Sequence, residues 1–226
     1  MPDRSSAELG AGARLVIILL GYIPLLHAAL LAFIVLNEAV GPLSRRLGMA
    51  AAVLYLAPPL IVNSLSRCVP RPAGSLGVGT GQFLVWWFCS QWQMVFNRFR
   101  FLEEVLRLVP SLYSLWLRLW GARIGALVYW SPGAVVFDRQ WIEVGDRAVI
   151  GAGARLAPHY LTRDELGRTL LIAAPVRIGK DAIVGAYSIV SAGVSVEPGS
   201  VTRPVWPIRP FTRHEEIRRL LRSVRE

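Results

Sequence analysis

Apolar positions dominate the first third of the chain. From Leu15 to Leu36, 22 residues run without a formal charge; as a helix they would cover roughly 33 Å, enough to cross a hydrocarbon core of about 30 Å. This predicts a transmembrane helix, kinked at Pro24, with His27 inside it as a helix–helix hydrogen-bonding residue. A signal peptide is the other reading of such a run, but the apolar core is long and no small-residue cleavage pattern closes it. A second apolar run, Leu47 to Val62, is shorter and carries Pro58-Pro59, so it either crosses tilted or turns back. Residues 1–69 thus read as a transmembrane helical hairpin. Arg45-Arg46 occupy its loop, whereas Arg67, Arg71, Arg98, Arg100 and Arg107 follow it, which places the remainder on the cytoplasmic side.

Residues 70–120 have another character. PRPAGSLGVGTG, 70 to 81, reads as a linker. Between Phe83 and Phe101 stand eight Phe or Trp residues, and Gln93, Asn97, Arg100, Glu104 and Arg107 recur at spacings of four and three. One polar stripe on an apolar helix suits a helix lying among lipid headgroups; a buried helix packed on the transmembrane pair is the alternative. Pro110 interrupts the pattern and Leu112 to Trp120 resumes it.

After Gly121 a period of six replaces the helical one. An aliphatic or aromatic residue opens each hexad at Ile124, Trp130, Val136 and Ile142, then in a shifted phase at Val144, Ile150 and Leu156, then at Ile178, Val184, Val190 and Val196. Small residues follow four places later, at Ala134, Ala148, Ala154, Ala182, Ser188 and Ser200. An apolar residue at every sixth position fills a narrow prism, and each coil buries its apolar face only by stacking on the next. Residues 121–210 are expected to form this stack, and 211–226 an amphipathic helix with Thr212 and Glu215 in capping-box spacing and an Arg-rich face.

Composition narrows the partners. The 226 residues are 54% hydrophobic with mean hydropathy +0.45, which disfavours an ordinary soluble enzyme. The net charge is +10, and all but one of the 25 basic residues are Arg, the exception being Lys180. Without a recognition motif, that charge points to an anionic membrane face or a phosphorylated ligand, and no nucleic acid is expected. Cys68 and Cys89 have no metal-ligand spacing, so neither a metal site nor a disulfide scaffold is expected.

FDRQWIEVGDRAVIGAGARLAPH, 137 to 159, and PVRIGKDAIVGAYSIVSAGVSV, 175 to 196, make the repeat resemble the hexapeptide-repeat acyltransferases, in particular the maltose, galactoside and xenobiotic acetyltransferase branch. WLRLWGARIG, 116 to 125, after apolar helices, also resembles membrane-associated hexapeptide domains at the ends of some peptide synthetases. The resemblance implies a left-handed parallel β-helix, here following a membrane α-helical N-terminal part and ending in a C-terminal helix. It implies His159 as the general base on an acceptor hydroxyl, Asp138 as a carboxylate contacting the acceptor, and Gly185, Ala186, Thr202 and Arg203 as the lining of a coenzyme A channel. It also implies a homotrimer. The family's closing Gly-x-Pro-Ala-Lys turn is replaced by VWPIRPFTRHEE.

The residues support the same chemistry from below. An imidazole can accept a hydroxyl proton near neutral pH, and outside the first apolar run only His159 and His214 exist, too few for the three-histidine zinc site of γ-type carbonic anhydrases. Asp164 and Glu165, in the loop LTRDELGRTL, read as solvated loop charges, with orientation of the ring as the alternative. The expected activity is transfer of an acetyl group from acetyl-CoA, or another acyl thioester, to a hydroxyl of a lipid or a lipid-linked sugar or peptide, at the cytoplasmic face of the inner membrane. Two alternatives stand beside it: transfer from a carrier-protein thioester, and a catalytically silent trimeric scaffold on the membrane.

Overall fold

The computed structural model describes residues 10–70, 72–163, 165, 167, 169–204 and 207–208. The C-terminal segment from 209, with His214 and the expected amphipathic helix, lies outside the described residues, as does Asp164.

The first apolar run forms two helices, α1 (Ala11–Leu20) and α2 (Ile23–Leu36). Gly21 and Tyr22 between them keep right-handed helical backbone, and the interruption lies just before Pro24, which has no N–H for the Leu20 carbonyl, so the run is broken where the proline stands. α3 (Leu43–Cys68) is continuous through Pro58 and Pro59, at about 39 Å for 26 residues, and it packs back along α2. Both stretches, Ala11–Leu36 and Leu43–Cys68, are long and apolar enough to cross a membrane. Leu25, Leu26 and Phe33 on the first stay more than three-fifths exposed.

The expected linker is in part a strand, β1 (Gly74–Gly77). It leads into α4 (Gly81–Arg98), whose first turn is capped by Thr80 accepting from the Phe83 N–H at 3.3 Å. The short helices α5 (Phe101–Arg107) and α6 (Leu112–Leu119) follow. α4 contacts α1, α2 and α3. Its polar stripe, read above as facing lipid headgroups, turns instead toward the repeat domain, where a buried arginine described below needs acceptors.

The hexads form a three-faced parallel β-helix. One face stacks β2 (Arg123–Ile124), β5 (Ile142–Val144), β10 (Val176–Ile178) and β13 (Ser195–Val196); the second stacks β3 (Tyr129–Trp130), β6 (Val149–Ile150) and β11 (Ile183–Val184), with Val201 bridging Ile183; the third stacks β4 (Val135–Val136), β7 (Arg155–Ala157), β12 (Ile189–Ser191) and β14 (Pro207–Ile208). The pairing puts Ile124, Val144, Ile178 and Val196 in one register row, with matching rows on the other faces. Every hexad-opening residue named above is buried, as are the small residues four places on.

Where the six-residue phase breaks, the chain leaves the prism. The breaks fall between Val136 and Val144 and between Leu156 and Ile178, both at the corner joining the third face to the first. The shorter insertion is a 3₁₀ turn, Arg139–Trp141. The longer is an extruded arm of β8 (His159–Arg163) and β9 (Thr169–Ala173), paired antiparallel. β1 pairs with the outer edge of β9, completing a three-stranded sheet that ties the arm to the helical half.

Candidate active site

Because the two insertions share a corner, they bring Asp138 and His159 together. Asp138 stands just before the 3₁₀ turn in a left-handed backbone conformation, φ 39°, which directs its side chain out of the coil. Its carboxylate, 3% exposed as a residue, has both oxygens engaged. Oδ2 meets Nδ1 of His159, the first residue of the arm. Oδ1 accepts from the Trp86 indole Nε1–H on α4 at 3.0 Å. The imidazole is enclosed by Trp86, edge-on with centroids 5.0 Å apart, and by Phe137 at 6.4 Å, with 28% of its side chain still open to solvent. Burial alone would lower the His159 pKa; the Asp138 charge and hydrogen bond outweigh it, and the pKa lies above the ordinary 6.5. With Asp138 accepting at Nδ1, that nitrogen carries the proton and Nε2 is the basic one.

Of the two loop carboxylates, only Glu165 is among the described residues. Glu165 is exposed in the arm's turn, and Asp138 orients the ring. Asp138 itself, expected to meet the acceptor, is buried with each oxygen already in one hydrogen bond, to His159 and to Trp86. Gly185, Ala186, Thr202 and Arg203 occupy a different corner, between the second and third faces, and are not brought to His159 within one chain. There Thr202 is buried and its Oγ1 accepts from the Gly185 N–H at 2.8 Å. A Cβ on Gly185 would stand 2.6 Å from backbone atoms of Thr202, Arg203 and Pro204, so this glycine permits the next coil to approach. Ala186 is half-buried and Arg203 is exposed.

Sequence reading missed Trp86 and Arg139. Trp86 was indistinguishable within an aromatic run. Arg139, 1% exposed, is the hub of a buried polar cluster joining the repeat to the helices. It pairs with Glu103, donates to Gln93 Oε1 at 2.9 Å and to Asn97 Oδ1 at 3.1 Å, and lies over the rings of Trp116 and Trp120. Glu103 also accepts from the Tyr113 hydroxyl at 2.6 Å and from Arg107 at 3.3 Å. Asp138 and its neighbour Arg139 thus dock on α4 through Trp86 and Gln93, one turning to the base and the other into the cluster.

Among the described residues no group of three or more His, Cys, Asp or Glu is placed to hold a metal ion. No protein-family model matches the sequence, and no curated protein matches it. Among solved structures, a hexapeptide-repeat-containing acetyltransferase from Vibrio cholerae is similar over 52% of this chain and 93% of its own, at 18% identity and a TM-score of 0.34. A maltose O-acetyltransferase from Clostridium difficile is similar over 52% of this chain and 79% of its own, at 17% identity and TM-score 0.34. A galactoside acetyltransferase in complex with coenzyme A is similar over 53% and 83%, at 15% identity and TM-score 0.31.

Proposed function

We propose that the protein is a membrane-anchored acyltransferase of the left-handed β-helix type, moving an acetyl group from acetyl-CoA to a hydroxyl of a lipid or lipid-linked acceptor, with His159 as general base. The observation that carries this reading is the Asp138–His159 pair: a buried carboxylate fixes the tautomer and leaves a basic Nε2 at the root of an extruded arm. In the reaction, Nε2 takes the acceptor O–H proton as the oxygen attacks the thioester carbonyl. The C–S bond then breaks, and the imidazolium returns the proton to the departing sulfur. Asp138 holds the imidazolium between these steps and does not move its own charge.

Two features support the membrane and trimer parts. The exposed apolar flanks of α1 and α2 suit a bilayer, and the α2–α3 hairpin with Arg67 at its end suits a cytoplasmic repeat domain. The outward row of the second face is Tyr129, Val149, Ile183 and Val201, in register, with Tyr129 60% and Val201 62% exposed. The corresponding row of the first face is charged, with Glu143 accepting from both Arg123 and Arg177. An apolar stripe beside a charged one suits packing between copies of the prism, which would bring the Arg203 corner of one copy to a neighbour's His159 and offer its guanidinium to a donor phosphate.

The test uses full-length protein. It should stay with membranes through a high-salt wash, bind acetyl-CoA in detergent, and release free thiol when a dodecyl glycoside is supplied as the hydroxyl acceptor. Recovery in the soluble fraction overturns the anchor. Absence of coenzyme A binding favours the scaffold, and activity that appears only with an acylated carrier protein favours that donor.

A further inference from the structure

Trp86 belongs to the helical half, yet it is the third member of the hydrogen-bonded set at the base. Asp138 lies among aromatic side chains, and a buried carboxylate oxygen left without a donor costs the desolvation of that oxygen. His159 satisfies Oδ2; the partner of Oδ1 is the indole Nε1–H at 3.0 Å. The same indole ring stands edge-on to the imidazole at 5.0 Å, so one side chain touches both members of the pair. It is held in turn by Phe83 at 5.4 Å and Trp87 at 5.9 Å on its own helix. We infer that Trp86 is a positioning residue of the reaction: its indole N–H holds the Asp138 carboxylate toward His159 Nδ1, and so sets the protonation equilibrium of the base from α4. This rests on the acyltransfer reading only for its effect on rate; the effect on the imidazole stands by itself.

The charged and titratable surroundings are simple. Asp138 faces His159 from the 3₁₀ insertion, and from α4 the Cys89 thiol stands near the carboxylate. Burial first, and that carboxylate second, push the thiol up to about 12, so it stays neutral throughout. Arg139, next to Asp138 in sequence, directs its guanidinium to Glu103, Gln93 and Asn97.

Trp86→Phe keeps an aromatic ring against the imidazole and deletes the donor. Without that donor the carboxylate's charge is balanced by His159 alone, which favours the imidazolium over the neutral ring, so His159 holds its proton to higher pH, by about half to one unit. Two readouts are made on detergent-solubilised full-length protein. The first is the pH titration of the His159 ring carbon followed by NMR, with the three histidines of the chain separated by a His159→Gln sample. The second is the acidic limb of kcat/KM for free-thiol release from acetyl-CoA with a dodecyl glycoside. Both should move upward in Trp86→Phe, with a loss of at most about 3- to 10-fold in kcat/KM at pH values below the limb. Trp92→Phe is the control, since that ring lies on the same helix against His27 and Phe88, away from the pair; it should move neither readout. An unshifted His159 titration in Trp86→Phe, or an equal shift in Trp92→Phe, overturns the inference. A shifted titration with no turnover in any sample overturns the acyltransfer reading and upholds the coupling.

Discussion

A single carboxylate oxygen separates a solvent-titrating histidine from a prepared base. Asp138 raises the His159 pKa above 6.5, so kcat/KM should climb with pH through a limb centred above that value and level off beyond it. The same linkage gives the pair a stabilising effect that is full below pH 6.5 and fades as pH rises through the folded-state pKa. His159→Ala should cost about 10²- to 10⁴-fold in turnover with acetyl-CoA binding unchanged, measured by thiol release and by equilibrium binding. Asp138→Asn should depress kcat through the tautomer it can no longer enforce, whereas a residue that only recognised the acceptor would raise KM. His159 and Asp138 are both legible in the sequence because they stand at breaks in the hexad phase. Their mutual contact is not, since 21 positions separate them and only the shared corner reveals it. Trp86 comes from another half of the chain, and no local pattern distinguishes it from its aromatic neighbours.

At the level of elements, the prism's inward rows follow directly from the hexads, but its corners hold a feature the composition hides. Away from the two insertions, the residue three places after an inward one adopts positive φ: Gly133, Gly153, Gly193 and Gly199 do so without strain, while Leu127, Arg147, Asp181 and Tyr187 do so at φ 55° to 61°. A left-handed non-glycine residue costs roughly 1–2 kcal/mol. Leu127 is exposed, so Leu127→Gly should stabilise the domain by about 0.5–1 kcal/mol once the glycine's added chain entropy is set against the relief, read as a raised thermal midpoint. The polar stripe of α4 shows the opposite failure. Its periodicity is real, but amphipathic spacing cannot tell a headgroup from a buried guanidinium, and here Gln93 and Asn97 serve Arg139. Arg139→Met should therefore loosen the helices from the repeat, costing about 3–5 kcal/mol because Glu103 stays buried with its main partner gone; the measurement is chemical unfolding in detergent.

For the whole molecule, the proposed packing of copies along the apolar row of the second face predicts that a charge there separates them. Ile183→Glu should convert trimers to monomers by light scattering in detergent while leaving the far-ultraviolet circular dichroism unchanged. Turnover should fall with the trimer if the donor corner of one copy serves the histidine of the next, and full activity in the monomer would refute that arrangement. The topology of hairpin, docking helices and stacked coils is legible from run lengths and the change of period at Gly121. What run lengths omit is β1: a four-residue strand rich in glycine carries no periodic signal and exists only because β9 offers it an edge.

That pairing has a consequence for the order in which the molecule is made. Gly74–Gly77 leaves the ribosome nearly a hundred residues before Ala173, its partner in the sheet. The helices and Trp86 are in place while Asp138 and His159 are still to be synthesised, and the first coils can stack as they emerge because each needs only its neighbour. The arm is different: it closes on a strand held waiting by the helical half, so the base is assembled late, against a surface that is already folded.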